Sequence, residues 1–116
     1  MPLLRITTSA AVSSQVSDAL SALLSAEIAR QLSKPESYVM TVLLPGVAMT
    51  FGGSPEPACF VELMNIGSFS PAATAALSSF LCARLAQELG VPSGRIYVSF
   101  VNAQGHLWGH DGETFG

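Results

Sequence analysis

Charge is scarce in this chain of 116 residues: five Lys and Arg stand against eight Asp and Glu, 11% charged in all, for a net charge of −3. Soluble domains carry roughly 25% charged residues. A lone copy with so little polar material cannot cover its surface, so some apolar surface is expected to meet another subunit. The basic residues are scattered as Arg5, Arg30, Lys34, Arg84 and Arg95. They form no basic stripe, which argues against a nucleic-acid partner. Cysteine is also sparse. Cys59 and Cys82 have neither metal nor redox spacing and read as small buried apolar residues in a reducing compartment. No stretch approaches the ~18 apolar residues of a membrane span. Ala19–Leu32, for instance, is broken by serines, Glu27 and Arg30. The N-terminal residues lack the basic region and cleavage site of a conventional secretory signal. The expectation is one cytoplasmic domain over residues 1–116, without a membrane or nucleic-acid partner.

What the chain does have starts at its second residue. Pro2 opens the apolar run Leu3-Leu4-Arg5-Ile6. A small second residue favours trimming of Met1, which would leave a secondary amine at the N-terminus. A free α-amine titrates near 7.7–8.0. Burial or a nearby cation lowers that value, so an amine held at a strand end in an apolar pocket can be a neutral base. The plainer reading of Pro2 is a rigid strand opener that needs no ladder donor.

The chain repeats itself at an offset of 57 residues, so that Leu32–Val39 aligns with Leu89–Ile96 and Ser13 with Ser70. Each unit, about 1–57 and 58–116, reads strand, helix, strand. The first helix is expected over Ser14–Gln31, with Val16, Leu20, Leu23, Leu24 and Ile28 on one face. The second has Ser70 as N-cap, Pro71 at the first helical position and a stripe of Ala73, Leu77, Phe80, Leu81 and Leu85. Gly90 ends it and Pro92 prevents its resumption. Second strands are expected over Tyr38–Leu44 and Arg95–Val101.

Two such units make an α+β (α/β two-layer) fold: a four-stranded mixed sheet with both helices on one face. Yet Val39–Leu44 contains one polar residue, Thr41, and such runs suit strands covered on both sides. Further copies of the chain, in a closed ring, would cover the second face. The glycine-rich tail, Asn102–Gly116, is expected to add a short strand to a sheet edge, its own or a neighbour's.

Candidate chemistry is thin. Lys34 is the only lysine and sits at the turn after the first helix. It caps the helix C-terminus or holds an anionic substrate. The loop Met49–Pro57 lacks the lysine and following helix of a phosphate loop and reads as a turn between repeats. Gly67 lets backbone come close to a ligand after Asn65-Ile66. Tyr97 reads as packing unless a pocket opens beside it. His106 and His110 sit among glycines with no third ligand near, so no metal site is expected.

Taken together, Met1-Pro2-Leu3, Ser33-Lys34-Pro35, Met49-Thr50-Phe51-Gly52-Gly53, Glu56-Pro57, Asn65-Ile66-Gly67, Arg95-Ile96-Tyr97 and Thr114-Phe115 resemble the macrophage migration inhibitory factor family of the tautomerase superfamily. The resemblance covers the whole chain, with at most a one-residue shift before Lys34. It implies a homotrimer and cofactor-independent keto–enol tautomerase activity on phenylpyruvate-like and dopachrome-like aromatic acids. Pro2 would be the general base and acid. Lys34 and the Ile66 N–H would anchor the substrate carboxylate. Tyr97, from a neighbouring subunit, would form a pocket wall, and Tyr38, Trp108 and Phe115 the aromatic lining. The family is also exported without a signal peptide.

Three departures matter. Ser99 stands where mammalian members usually carry Asn, which weakens the case for dopachrome-like substrates. Ala58 and Val61 replace the ends of a Cys-x-x-Cys motif, which removes a thiol-oxidoreductase role. Trp108 fills an often aliphatic position and would narrow the pocket mouth. The competing reading is a non-catalytic, cytokine-like signalling or host-interaction protein with a vestigial pocket and an unidentified receptor.

Overall fold

Strand alternation decides which side of the sheet is dry. In β1 (Leu3–Thr8) every second residue, Leu4, Ile6 and Thr8, is buried. In β3 (Cys59–Ile66) the buried set is Cys59, Val61, Leu63 and Asn65. Opposite faces of a pleated strand alternate with period two, so one face of each strand enters the core and the other does not. With β2 (Met40–Leu44) and β4 (Ile96–Ala103) these strands form one sheet in the order β2-β1-β3-β4. Pairs β1·β2 and β3·β4 are parallel, and the central pair β1·β3 is antiparallel. The computed structural model describes residues 1–116.

Two helices cover the dry face. Ser13 caps α1 (Ser14–Leu32) by accepting from the Val16 N–H, and Ser70 caps α2 (Pro71–Leu89) by accepting from the Ala73 N–H. Each cap satisfies an amide with no partner inside its helix. Both helices end on a left-handed residue, Ser33 at φ 53° and Gly90 at φ 68°. Leu20, Leu24 and Ile28 of α1 and Leu77, Leu81 and Leu85 of α2 join Leu4, Ile6, Val61 and Leu63 in the core.

The sequence expectations of two helices on one face and a mixed four-stranded sheet hold. Four details differ. Val16 and Leu23 are 39% and 36% exposed, because the i, i+4 line through Leu20, Leu24 and Ile28 faces the sheet and they lie off it. Ala73 and Phe80 are only partly buried on the flank of α2. Tyr38 and Arg95, expected to open strands, instead end short 3₁₀ turns, Glu36–Tyr38 and Ser93–Arg95. Pro35 and Pro92 set these turns, their carbonyls accepting from the Tyr38 and Arg95 N–H groups. Of the two edges the tail is expected to join, it adds no strand to that of its own sheet. Its β5 (Gly109–His110) and β6 (Glu113–Thr114) pair with each other, around Asp111 at φ 50° and Gly112 at φ 81°. A two-residue turn with both φ positive matches the twist of a hairpin and closes it locally.

The other face of the sheet is left open in this chain. Register places Met40, Leu3, Met64 and Val101 in one row, then Val42, Arg5, Glu62 and Ser99, then Leu44, Thr7, Phe60 and Tyr97. Met40 is 62% and Tyr97 65% exposed. The polar centre of this face is an Arg5–Glu62 fork with bonds of 2.7 and 2.9 Å. The Arg5 guanidinium accordingly holds the Glu62 carboxyl below its ordinary pKa.

Candidate active site

Pro2 lies at the edge of the sheet just before β1 begins, and it is fully buried. Its carbonyl accepts from the Met40 N–H at 3.0 Å, which continues the β1·β2 ladder. Proline has no N–H to contribute, so this is a strand position it can occupy without loss. Beside it opens an apolar cavity of about 280 Å³ lined by Pro2, Tyr38, Trp108, His110 and Phe115, among others. Tyr38 reaches it from the turn after α1. The other three aromatic side chains arrive on the tail.

The tail is pinned there by backbone bonds. Phe115 N–H lies 3.1 Å from both the Gly105 and Trp108 carbonyls. A Cβ on Gly105 would fall 2.7 Å from the Phe115 carbonyl oxygen, so the close approach requires glycine.

A second hollow, of about 260 Å³, adjoins the first and contains Lys34, Ile66, Met1, Tyr38 and Phe115. Met1, Tyr38 and Phe115 line both. Met1 is thus one of three side chains shared by the Pro2 cavity and the Lys34 hollow. Lys34 is positioned by the end of α1: its N–H donates to the Ala29 carbonyl at 2.9 Å, after the left-handed Ser33 has turned the chain. The three ion pairs of the chain use Arg5, Arg30 and Arg84, so the Lys34 ammonium has no carboxylate partner. β1 begins opposite Met64, so Asn65 and Ile66 extend β3 past its neighbour on that side.

The amine at the start of the chain lies 3.5 Å from Asn65 Oδ1. Its pKa is lowered from the ordinary value, first by burial and then by the Lys34 charge. Both causes act against a second positive charge at this end of the sheet. Pro2, one residue further in, is more deeply buried than Met1.

Of the residues singled out from sequence, Pro2, Lys34, Tyr38, Ile66, Trp108 and Phe115 converge on these two adjoining hollows. Tyr97 and Ser99 do not. Tyr97 pairs with Phe60, which pairs with Thr7, so it lies at the end of the sheet remote from Pro2. There it packs on Phe51, with ring centroids 4.9 Å apart. Ser99 sits mid-sheet beside Glu62 on the open face. One pocket residue was missed as such. His110 stacks on Phe115 at 5.8 Å and meets the Tyr38 ring edge-on at 6.1 Å. The Asp111-Gly112 dipeptide was the available signal, since a tight hairpin there folds His110 back beside Phe115. Cys59 is walled into the core, where burial pushes its thiol up to about 12, assisted by Cys82. A thiol so held is inert as a nucleophile.

A profile of the macrophage migration inhibitory factor (MIF) family matches residues 1–116. The macrophage migration inhibitory factor homolog of Trichinella spiralis is 38% identical over 115 residues, covering 99% of this chain and 100% of the homolog. The macrophage migration inhibitory factor homologue of Prochlorococcus marinus superposes with a TM-score of 0.92 at 41% identity, over 98% of this chain and 99% of that one. The Toxoplasma gondii macrophage migration inhibitory factor superposes with a TM-score of 0.91 at 32% identity, over 97% and 99% of the two chains.

Proposed function

Because the chain belongs to the macrophage migration inhibitory factor family, we propose that it is a cofactor-independent keto–enol tautomerase of phenylpyruvate-like aromatic acids, with Pro2 as its general base and acid. The observation that carries this reading is the junction of the two hollows. A buried proline at the second position lines one hollow and an unpaired lysine the other, and Met1, Tyr38 and Phe115 are common to both.

Removal of Met1 converts the Pro2 nitrogen from an amide to a secondary amine. Burial and the Lys34 charge both disfavour the charged form of that amine. The substrate carboxylate then rests on the Lys34 ammonium and the Ile66 backbone N–H. Its aromatic ring lies among Tyr38, Trp108 and Phe115, where water is limited. The α-keto acid places a C3 hydrogen, adjacent to its carbonyl, over the Pro2 nitrogen. Pro2 takes that proton, the C3–H electron pair becomes the C2=C3 bond, the carbonyl π pair moves onto the oxygen, and the protonated Pro2 delivers the same proton to that oxygen, which gives the enol and restores the neutral amine. The reverse direction returns a proton from Pro2 to C3. The acid is held in register by its carboxylate throughout, so little freedom is lost at the moment of transfer.

The open sheet face completes the proposal. Two rows, the apolar Met40–Leu3–Met64–Val101 and the largely apolar Leu44–Thr7–Phe60–Tyr97, border it. We take copies of the chain to cover this face in a homotrimer, in which Tyr97 of one copy walls the Pro2 cavity of the next. Ser99 lies on the same strand as Tyr97, and its short hydroxyl favours phenylpyruvate over dopachrome-like substrates.

The test combines intact mass with turnover. The mature protein is expected to lack Met1 and to tautomerise phenylpyruvate, Pro2→Gly to lose nearly all activity, and Lys34→Ala to lose mainly affinity. Full activity in Pro2→Gly would dismiss the base. A retained Met1 with no turnover would favour the non-catalytic, cytokine-like reading, since Met1 then occupies the recess and the Pro2 nitrogen stays an amide.

A further inference from the structure

The second-repeat residue Arg95 does something no other cation of the chain does. Its guanidinium donates to four backbone carbonyls of the loop between the repeats. Nε reaches Pro57 at 2.9 Å, Nη1 reaches Phe51 at 3.3 Å, and Nη2 reaches Ser54 at 3.1 Å and Glu56 at 2.8 Å. Its charge centre also lies 5.3 Å from the centroid of the Phe51 ring. No carboxylate pairs with it.

The loop needs this. Phe51 and Ser54 exchange two 3.0 Å backbone bonds around Gly52 at φ 58° and Gly53 at φ 79°, a tight reversal with open space around both glycines. The turn closes itself, but it supplies no core that would hold it against the sheet. Arg95 supplies that hold, because one planar fork satisfies carbonyls from both ends of the loop. The loop's one large aromatic residue, Phe51, then rests on the mostly exposed ring of Tyr97.

We propose that Arg95 is a positioning residue acting in trans: it fixes Phe51, Phe51 fixes Tyr97, and the oriented Tyr97 ring completes the Pro2 site of the adjacent copy. This rests on the tautomerase trimer proposed above. Within its own chain the assembly cannot serve Pro2, since Tyr97 stands level with Thr7, at the far end of β1. A defect at Arg95 therefore appears in a neighbour's active site and leaves the Pro2 and Lys34 of its own chain intact.

That asymmetry is testable with phenylpyruvate as the probe. Arg95→Met alone is expected to lose ~10- to 100-fold in kcat/KM, the usual cost of a misplaced pocket wall. Arg95→Lys is expected to recover little, because an ammonium cannot reproduce the fork. Pro2→Gly alone is expected to be inactive. The two defective chains, Arg95→Met and Pro2→Gly, are then co-expressed with different tags and purified through both. In every mixed ring one Pro2 from an Arg95→Met chain faces a Tyr97 held by an intact Arg95. A random equal mixture before purification would thus regain about a quarter of wild-type sites, and doubly tagged rings about one site in three.

Mixed rings no more active than Arg95→Met alone would overturn the proposal, since Arg95 would then act within its own copy or on folding only. Failure to recover any doubly tagged assembly would overturn it as well. A wild type with no phenylpyruvate turnover would instead sink the tautomerase reading itself. Should Arg95→Met not fold, Phe51→Leu replaces it in the same mixture, breaking the next link with the fork left in place.

Discussion

The two βαβ halves share one frame and differ in what stands at its ends. The helices, Ser14–Leu32 and Pro71–Leu89, are each displaced by 57 residues, as are their caps, Ser13 and Ser70, and the 3₁₀ turns Glu36–Tyr38 and Ser93–Arg95. At the same offset Pro2 corresponds to Cys59, Lys34 to Val91 and Tyr38 to Arg95. Cys59 and Val91 are core residues. Arg95 ties down a loop, whereas Tyr38 lines a cavity. The second half is closed by the inter-repeat loop, while the first ends in an open recess finished by the tail. A frame set by caps and leucine stripes thus tolerates either core packing or a cavity wall at the same geometric position.

Making the first half resemble the second should abolish that difference. Lys34→Val, which copies Val91, is expected to lower phenylpyruvate kcat/KM by ~10- to 100-fold, the cost of a lost charge-assisted contact of about 1.5–3 kcal/mol. Its thermal stability should barely change, because Lys34 has no ion-pair partner to lose. Large losses of stability would show that Lys34 serves mainly to cap α1.

The shared frame should fail equally in both halves. Leu24→Ala and Leu81→Ala each remove a fully buried side chain from the same core. Each is expected to cost ~2–5 kcal/mol in urea unfolding. A cost confined to one half would break the equivalence.

Dependence on pH separates the halves next. The Met1 amine is lowered by burial and by Lys34; if the same two causes act on the proposed Pro2 base, kcat/KM should rise with pH through an inflection below the ordinary α-amine value of about 8. In Lys34→Val the inflection should move upward, since one of the two causes is gone. For the chain that keeps Met1, the same depression means that stability is fully present above the unfolded amine's value and declines as pH falls through the folded one. An inflection unmoved by Lys34→Val would place the charge too far away to matter.

The smallest effect concerns the helix ends. Ser33 adopts φ 53° where the second half uses Gly90 at φ 68°. Ser33→Gly relieves the left-handed strain of a residue with a Cβ and should raise stability by up to about 1 kcal/mol, despite the added freedom of the unfolded chain. A loss of stability would mean that the Ser33 conformation is not strained.

These contrasts also show which parts of the molecule were legible in its sequence. The Ser70 cap, the Gly90 stop and the stripe Leu77–Leu81–Leu85 are local patterns with one physical outcome, so they could be read directly, whereas the one-sided alternation of β1 and β3 was not. Tyr38 and Arg95 could not be separated from their strands, because a 3₁₀ turn after proline differs from a strand start by only a few backbone angles. Pro2, Lys34, Ile66 and Phe115 were identifiable through family resemblance, and their convergence depends on long-range register that no local pattern encodes. His110 escaped as a pocket residue because its spacing to His106 drew attention to metals, while the Asp111-Gly112 hairpin that aims it lies downstream. The Arg95 fork was invisible for a related reason: its acceptors are backbone carbonyls, which carry no residue signature.

A titration of the mature protein labelled with ¹⁵N-proline, followed by NMR, addresses the chemistry at its source. The expected result is a Pro2 secondary-amine nitrogen that titrates below the ordinary α-amine value and shifts upward in Lys34→Val. A Pro2 nitrogen that remains an amide, or that titrates at the ordinary value regardless of Lys34, would contradict it.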